Sequence, residues 1–131
     1  MRTPRPVEAW LGDIVAYGER LARHLDGVSR TAFLSDERIQ DAAAKCVEAI
    51  GEAAGRVSRL RPELEERFPD LRLSDAYSAR NRLSHGYHAI DYAVLWATAT
   101  KSIPATVTAA RIALDALRDE RTASKPAGFA P

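Results

Sequence analysis

Apolar residues recur at Val7, Leu11, Ile14, Gly18, Leu21 and Leu25 in steps of four, three, four, three and four, the period of one helix face. The same stepping returns at Ile39, Ala43, Cys46, Ile50, Ala53 and Val57. It returns again from Tyr92 through Trp96, Ala99, Ile103, Val107 and Ala110 to Leu114 and Leu117. No stretch alternates with period two, so the chain reads as all-α: an antiparallel bundle of four to five helices. At 131 residues with 46% apolar content, one core without staples is affordable. The reading is one domain over 1–121 and a flexible C-terminal tail, TASKPAGFAP, over 122–131.

Punctuation marks the helix ends. Pro4 and Pro6 precede the first helix, where a missing N–H does least harm, and Gly27 stops it. Ser35 stands as N-cap of the second, with Asp36 and Glu37 at the positive end of its dipole. Pro62 and Pro69 bracket ELEERF, a short helix or turn whose Glu63, Glu65 and Glu66 read as a solvated face, because nothing nearby completes a metal cage. Ser74 and Asp75 offer caps to a helix reaching about Ser84, ended by Gly86 in the left-handed region, and Asp91 caps the last helix. A kink is expected at Pro104, whose ring removes one backbone hydrogen bond and meets the carbonyl of Thr100.

Charge and cysteine narrow the function. Nineteen Lys and Arg against 18 Asp and Glu give a net charge of +1, so any nucleic-acid site must be local. Cys46 is the sole cysteine, which excludes an internal disulfide, and its place on the apolar line makes it a core residue. The beginning, MRTPRPVEAW, lacks the apolar run of a signal peptide, and no 18-residue apolar stretch occurs, so a cytoplasmic protein with no membrane partner is expected.

The local site is visible. Residues 78–96 read SARNRLSHGYHAIDYAVLW, placing Arg80, Arg82, His85, Tyr87 and His88 within nine positions that hold no acid. This basic run sits at a turn between two helices, where side chains are exposed and held by rigid neighbours. Arg80 and His85 are five helical steps apart, about 140° around the axis, so they do not share one narrow face. A long arginine reach, release of His85 from helical geometry at Gly86, or two protomers each supplying part of a cleft can bring them together. The helix dipole and the two arginines act on His85 with opposite sign, which leaves acid and base roles open. Glu52 can either hold Arg80 by a charge-assisted bond or stand as a solvated helical acid. Trp10 and Trp96 read as core or interface aromatics, and His88 as a solvated loop histidine.

The run Arg80, Asn81, Arg82, Leu83, Ser84, His85, Gly86, Tyr87 resembles the signature of the HepT toxins in the HEPN domain superfamily: Arg, four residues, His, any residue, Tyr. IGEAAGRVS at 50–58, RNRLSHGYHAIDYAVLW at 80–96 and the late Pro104 extend the likeness over about residues 7–117. Two positions depart from it. LRLS at 71–74 stands where the family often has a Pro-Trp pair, and Ala79 stands where a larger apolar residue is common, changes that bear on packing and substrate fit. The resemblance implies an HEPN-like helical fold that forms a homodimer with both motif copies facing the interface. It also implies a ribonuclease, endonucleolytic in type, acting on an RNA such as a tRNA or an mRNA, as the toxin of a toxin-antitoxin pair. By the same likeness Tyr87 is the AMPylation target of an MntA-like nucleotidyltransferase antitoxin that silences the toxin.

Arg80 and His85 would be the catalytic pair. The ribose 2′-hydroxyl attacks the adjacent phosphate, His85 moves protons, and the planar Arg80 fork meets the phosphorane charge. No metal ligand set is visible, and no cofactor is expected. Asn81 either orients His85 or binds a ribose hydroxyl. Arg82 either contacts RNA phosphate or solvates an exposed face. Tyr87 alternatively reads as a half-buried anchor with its hydroxyl in water. The competing functional reading is a non-catalytic helical module that binds nucleotide or docks a nucleotidyltransferase.

Overall fold

A computed structural model of the chain describes residues 4–85 and 89–124. Among them every regular element is helical. The order is α1 (Val7–Leu25), α2 (Arg30–Leu34), α3 (Glu37–Leu60), α4 (Glu63–Arg67), a 3₁₀ turn (Pro69–Leu71), α5 (Leu73–His85), α6 (Tyr92–Ala97), a π-helical segment (Thr98–Ser102) and α7 (Ile103–Ala123). The three apolar lines are the buried faces. Val7, Leu11, Ile14, Gly18 and Leu21 of α1 are buried, as are Ala43, Cys46, Ile50, Ala53 and Val57 of α3. Ala99 and, on α7, Ile103, Val107, Ala110, Leu114 and Leu117 complete the core. Burial pushes the Cys46 thiol up, against the smaller opposing pull of Arg20, Lys45 and Arg23.

Cross-helix contacts fix the helix directions. Arg56 near the end of α3 lies over Trp10 near the start of α1. Glu8 and Glu19 of α1 pair with Arg121 and Arg111 of α7 respectively. Gly51 and Gly55 of α3 face Arg80 and Tyr77 of α5. In the last two sets one index rises as the other falls, and the first joins the end of α3 to the start of α1, so α1 with α3, α1 with α7, and α3 with α5 run antiparallel. α3 is the central helix, with α1 on one side and α5 on the other.

Four local details differ from the sequence reading. Ser35 caps the C-terminus of α2, a helix too short to show periodicity, and its hydroxyl donates to the carbonyls of Thr31 and Ala32. The N-cap of α3 is Asp36, whose carboxylate accepts from the N–H groups of Arg38 and Ile39. Ser74 and Asp75 lie inside α5, which starts at Leu73 because the Leu73 N–H is taken by Glu65 Oε1 at 2.7 Å. Thus one of the three supposedly solvated carboxylates of α4 is a cap supplied from another helix. Near Pro104 the disruption takes the form of the π segment: the Ile103 N–H reaches back to Thr98 O, and Thr100 Oγ1 donates to Trp96 O at 2.7 Å. The Asp91 cap holds, accepting from the N–H groups of Ala93 and Val94. Gly27 ends α1 with φ +72°. Gly86 lies outside the described residues. α7 continues through Ala123, and Thr122 Oγ1 donates to Arg118 O, two residues into the segment read as a tail.

The small face of α3 decides how close α5 can come. A Cβ on Gly51 would stand 2.2 Å from Arg80 Cβ and 2.6 Å from the Ala76 carbonyl oxygen, and one on Gly55 2.6 Å from the Tyr77 ring. Gly12 in α1 meets nothing within 4 Å. Alanine at a helix interior gains up to about 1 kcal/mol over glycine, whereas overpacking costs about 1–3 kcal/mol. Chemical denaturation should therefore give opposite signs: Gly12→Ala stabilises, and Gly51→Ala destabilises because a backbone oxygen cannot rotate away. Equal stabilisation by both would show that α3 and α5 are not in this contact.

Candidate functional site

α5 presents the basic run against two different neighbours. Because Gly51 has no side chain, the Arg80 stem lies directly on α3, and its guanidinium is held at both ends. Nη1 donates to Asn81 Oδ1 at 3.1 Å, and Nη2 lies 3.5 Å from Glu52 Oε2. The other Glu52 oxygen accepts from Arg56 Nε at 3.1 Å. The Arg56 guanidinium stands 5.5 Å from the Trp10 ring centre, and Arg5, paired with Asp13 at 2.8 Å, stands 4.1 Å from it. Of the two sequence readings of Glu52, the structure takes the one that holds Arg80. Both partners remain about a third exposed, 31% for Arg80 and 35% for Glu52, so the pair contributes at most about 1 kcal/mol to stability. Its consequence is orientation of a fixed cation.

His85 remains the last residue of α5, so release from helical geometry, one of the three ways open to the sequence, is not taken. Its ring Nδ1 lies 3.0 Å from the Asn81 main-chain oxygen. A carbonyl only accepts, so this contact calls for the hydrogen on Nδ1 and, in the neutral ring, puts the lone pair on Nε2, which makes no hydrogen bond to another described residue. Asn81 therefore touches both groups, Arg80 through its side chain and His85 through its backbone. The amide side chain of Asn81, read as orienting His85 or binding a ribose hydroxyl, instead meets Arg80, and the contact with His85 is made by the main-chain carbonyl. Arg80 and His85 are linked through this one residue, with α5 unbroken between them.

Beside His85 lies a cavity of about 610 Å³ whose floor is apolar, with Val47, Leu83 and Leu95 in its lining and Asn81, Arg82 and His85 on its polar side. Arg82 is exposed and borders this cavity as well as a smaller cleft at the start of α5. Arg80 does not line it; it faces Glu52. Tyr87 and His88 lie outside the described residues. Trp96 packs on Phe33 with ring centres 5.2 Å apart, as a core aromatic, and Trp10 is the half-buried platform between two arginines. Among the described residues no three His, Cys, Asp or Glu side chains gather as a metal site, and no helix is long and apolar enough to cross a membrane. Two features went unread in the sequence. The Glu65 cap joins residues eight apart through a turn, a tertiary contact with no local signature. The hydroxyls of Thr98, Ser102 and Thr106 at four-residue spacing were legible but not taken up.

The sequence matches the Ribonuclease HepT-like family over residues 14–111. Curated relatives include a "Putative RNase" of Caldanaerobacter subterraneus subsp. tengcongensis, 32% identical over 104 residues, which cover 79% of this chain and 88% of that protein. A "Putative RNase" of Methanocaldococcus jannaschii is 29% identical over 100 residues, covering 76% and 84%. A "Probable ribonuclease HepT" of Thermococcus cleftensis is 30% identical over 95 residues, covering 72% and 84%. No solved structure matches.

The Asn81 contact makes a spectroscopic prediction. At a pH where the ring is neutral, the nitrogen shifts of His85 should report a protonated Nδ1 and an unprotonated Nε2. A ring protonated on Nε2 would mean that the Asn81 carbonyl does not hold it.

Proposed function

The chain belongs to the HepT-like ribonuclease family, and from that premise we propose that it cleaves RNA internally with Arg80 and His85, without a metal ion. What supports this reading is the double anchoring around Asn81, which orients the Arg80 guanidinium and, in the neutral ring, directs the His85 lone pair to Nε2. In the proposed reaction Nε2 accepts the proton of a ribose 2′-hydroxyl. The oxygen attacks the adjacent phosphorus, and Arg80 stabilises the charge gathering on the phosphorane oxygens. The bond to the 5′-oxygen breaks, leaving a 2′,3′-cyclic phosphate on one fragment and a 5′-hydroxyl on the other once that oxygen takes a proton. Arg82, exposed at the cavity rim, holds RNA phosphate. Because Arg80 leans on α3 while His85 faces the cavity, we place the complete site at a homodimer interface, where the Arg80 of one protomer and the His85 of its partner can address one phosphate.

Arg80→Ala and His85→Ala should each reduce RNA cleavage by about 10²–10⁴ while helicity is retained, the scale for losing a positioned acid, base or charge donor. Chelator should leave the rate unchanged, and the active species should sediment as a dimer. Loss of activity in EDTA with return on adding a divalent ion refutes the metal-free mechanism. Tight RNA binding without any cleavage favours the alternative reading, a non-catalytic binding module.

The same proposal makes the protein the toxin of a toxin-antitoxin pair, silenced when an MntA-like nucleotidyltransferase transfers AMP from ATP to Tyr87. The phenol oxygen attacks the α-phosphorus and pyrophosphate leaves. Two residues from His85, the added phosphate and purine would occupy space made for RNA. Tyr17 and Tyr77 are partly buried against helices and Tyr92 packs against the core, so they are poorer targets. Co-expression with the partner should give AMP on the Tyr87 peptide by mass spectrometry, and Tyr87→Phe should escape silencing. AMP on another tyrosine, with Tyr87→Phe still silenced, refutes the assignment.

A further inference from the structure

α5 does not close fully against the π segment and the first turn of α7. A cleft of about 200 Å³ remains between them. Thr98, Ser102 and Thr106, spaced four residues apart and so on one helix face, line one wall; Arg72, Ser78 and Arg82 line the other. Along this face Ser102 is exposed, Thr98 half-buried and Thr106 buried, so the hydroxyls run from the surface into the cleft. Thr106 is only 2% exposed, and its hydroxyl bonds to no other described residue. No side-chain nitrogen or oxygen among the described residues is both fully enclosed and unpartnered, so this hydroxyl opens into the cleft it lines. A hydroxyl that opens into a cleft can take a water or a ligand oxygen as its partner.

Two guanidiniums and a stripe of hydroxyls call for an anionic oxygen cluster. Asp75 also borders the cleft, so its charged walls sum to a formal +1. That balance matches a phosphodiester, which carries a single negative charge, better than a terminal phosphate, which carries up to two. Position adds a second argument. Arg82 and Thr98 line both this cleft and the larger cavity that contains His85, so the two spaces are neighbours along one edge of α5. Arg72 and His85 are thirteen residues apart, about 20 Å along a helix, a span that a strand of several nucleotides can follow.

We propose that the cleft between α5 and the π segment is a second phosphodiester subsite, in which Arg72, Arg82, Ser102 and Thr106 hold an RNA phosphate away from the one that is cut. This rests on the RNA-cleavage reading above and extends it: the protein grips the strand at a distance from the scissile bond and so requires an oligonucleotide for tight binding. Arg72 stands exposed at the mouth, with a left-handed backbone of φ 44° where the 3₁₀ turn passes into α5.

The test is fluorescence anisotropy with a labelled 12-nucleotide single-stranded RNA, using the full chain carrying His85→Ala so that the probe survives. Adding Arg72→Ala should weaken binding about tenfold and reduce the slope of log affinity against log salt by about 0.7, the value for one lost single-strand phosphate contact. Adding Thr106→Val, which keeps the shape, should weaken binding severalfold while leaving thermal stability equal or higher. Arg118→Ala, on α7 and lining neither space, should change affinity less than twofold. Unchanged affinity and slope in both Arg72→Ala and Thr106→Val overturn the subsite. If the parent binds no RNA and the unmodified chain cuts none, the ribonuclease reading itself falls. The cleft is then judged with dimethyl phosphate: amide shifts over residues 98–106 that vanish in Thr106→Val support it, and none overturns it.

Discussion

The close approach of α5 to α3 is the constraint on which the rest of the structure depends. Gly51 and Gly55 remove two side chains from the α3 face, and into that space come the Arg80 stem, the Ala76 carbonyl and the Tyr77 ring. An arginine packed against backbone has little freedom in its first bonds, so its guanidinium reaches only what lies beside it, Glu52 one residue beyond Gly51 and Asn81 one residue beyond itself. α5 has a weakly amphipathic sequence and does not hold itself in place by a long apolar stripe. Its buried residues are Leu73, Ala76, Ala79 and Leu83, mostly small, and its first N–H is satisfied by Glu65 from α4. The helix that carries the polar chemistry is therefore positioned almost wholly by other elements.

The last long helix answers a different demand. From Tyr92 to Leu117 the apolar steps continue without a break, yet Pro104 cannot continue the hydrogen-bond ladder. The π segment resolves the conflict by wide-turn bonding immediately before the proline, so the apolar line stays on the core side of both halves. In the same stretch Thr98 and Ser102 are turned toward α5, and Thr106 follows on the first turn of α7. An irregularity forced by one residue thus coincides with a cleft lined by the half-buried Thr98, the exposed Ser102 and the buried Thr106.

Periodicity was enough to read the long helices and their core faces, because a 3.6-residue repeat reports burial directly and three segments carry it. It could not reveal α2, five residues long and anchored by Phe33 alone. Nor could it choose between Ser35 and Asp36 as the cap of α3, since both are good cap residues and the choice depends on where α2 ends. The motif residues were equally legible, but their arrangement was not. The 140° between Arg80 and His85 invited three ways of closing the gap. The structure shows one of them, release of His85 at Gly86, not taken, because the ring stays bonded to the carbonyl of Asn81 within α5. Glu52 was visible as a reachable acid and undecidable as a partner, because the answer hangs on how near two glycines let the helices come.

A chain of net charge +1 that grips a polyanion must do so without a general positive field, and the fold shows how local cations are kept effective. Arg80 is held by a carboxylate that is itself shared with Arg56, so Glu52 orients the Arg80 guanidinium while a second cation draws on the same negative charge. Arg56 is in turn backed by the Trp10 ring, which supplies attraction without adding a negative charge to the cluster. Farther along α5, Arg82 is exposed and Arg72 stands at the helix entrance, with Asp75 bordering the cleft they share and Asp91 lining the larger cavity beside Arg82. The result is a short polar edge in which two cations are left for solvent or ligand and one is fixed in direction. On the proposed reading, affinity arranged this way would depend on register along a strand more than on overall charge, and so would discriminate between polyanions by the spacing of their phosphates.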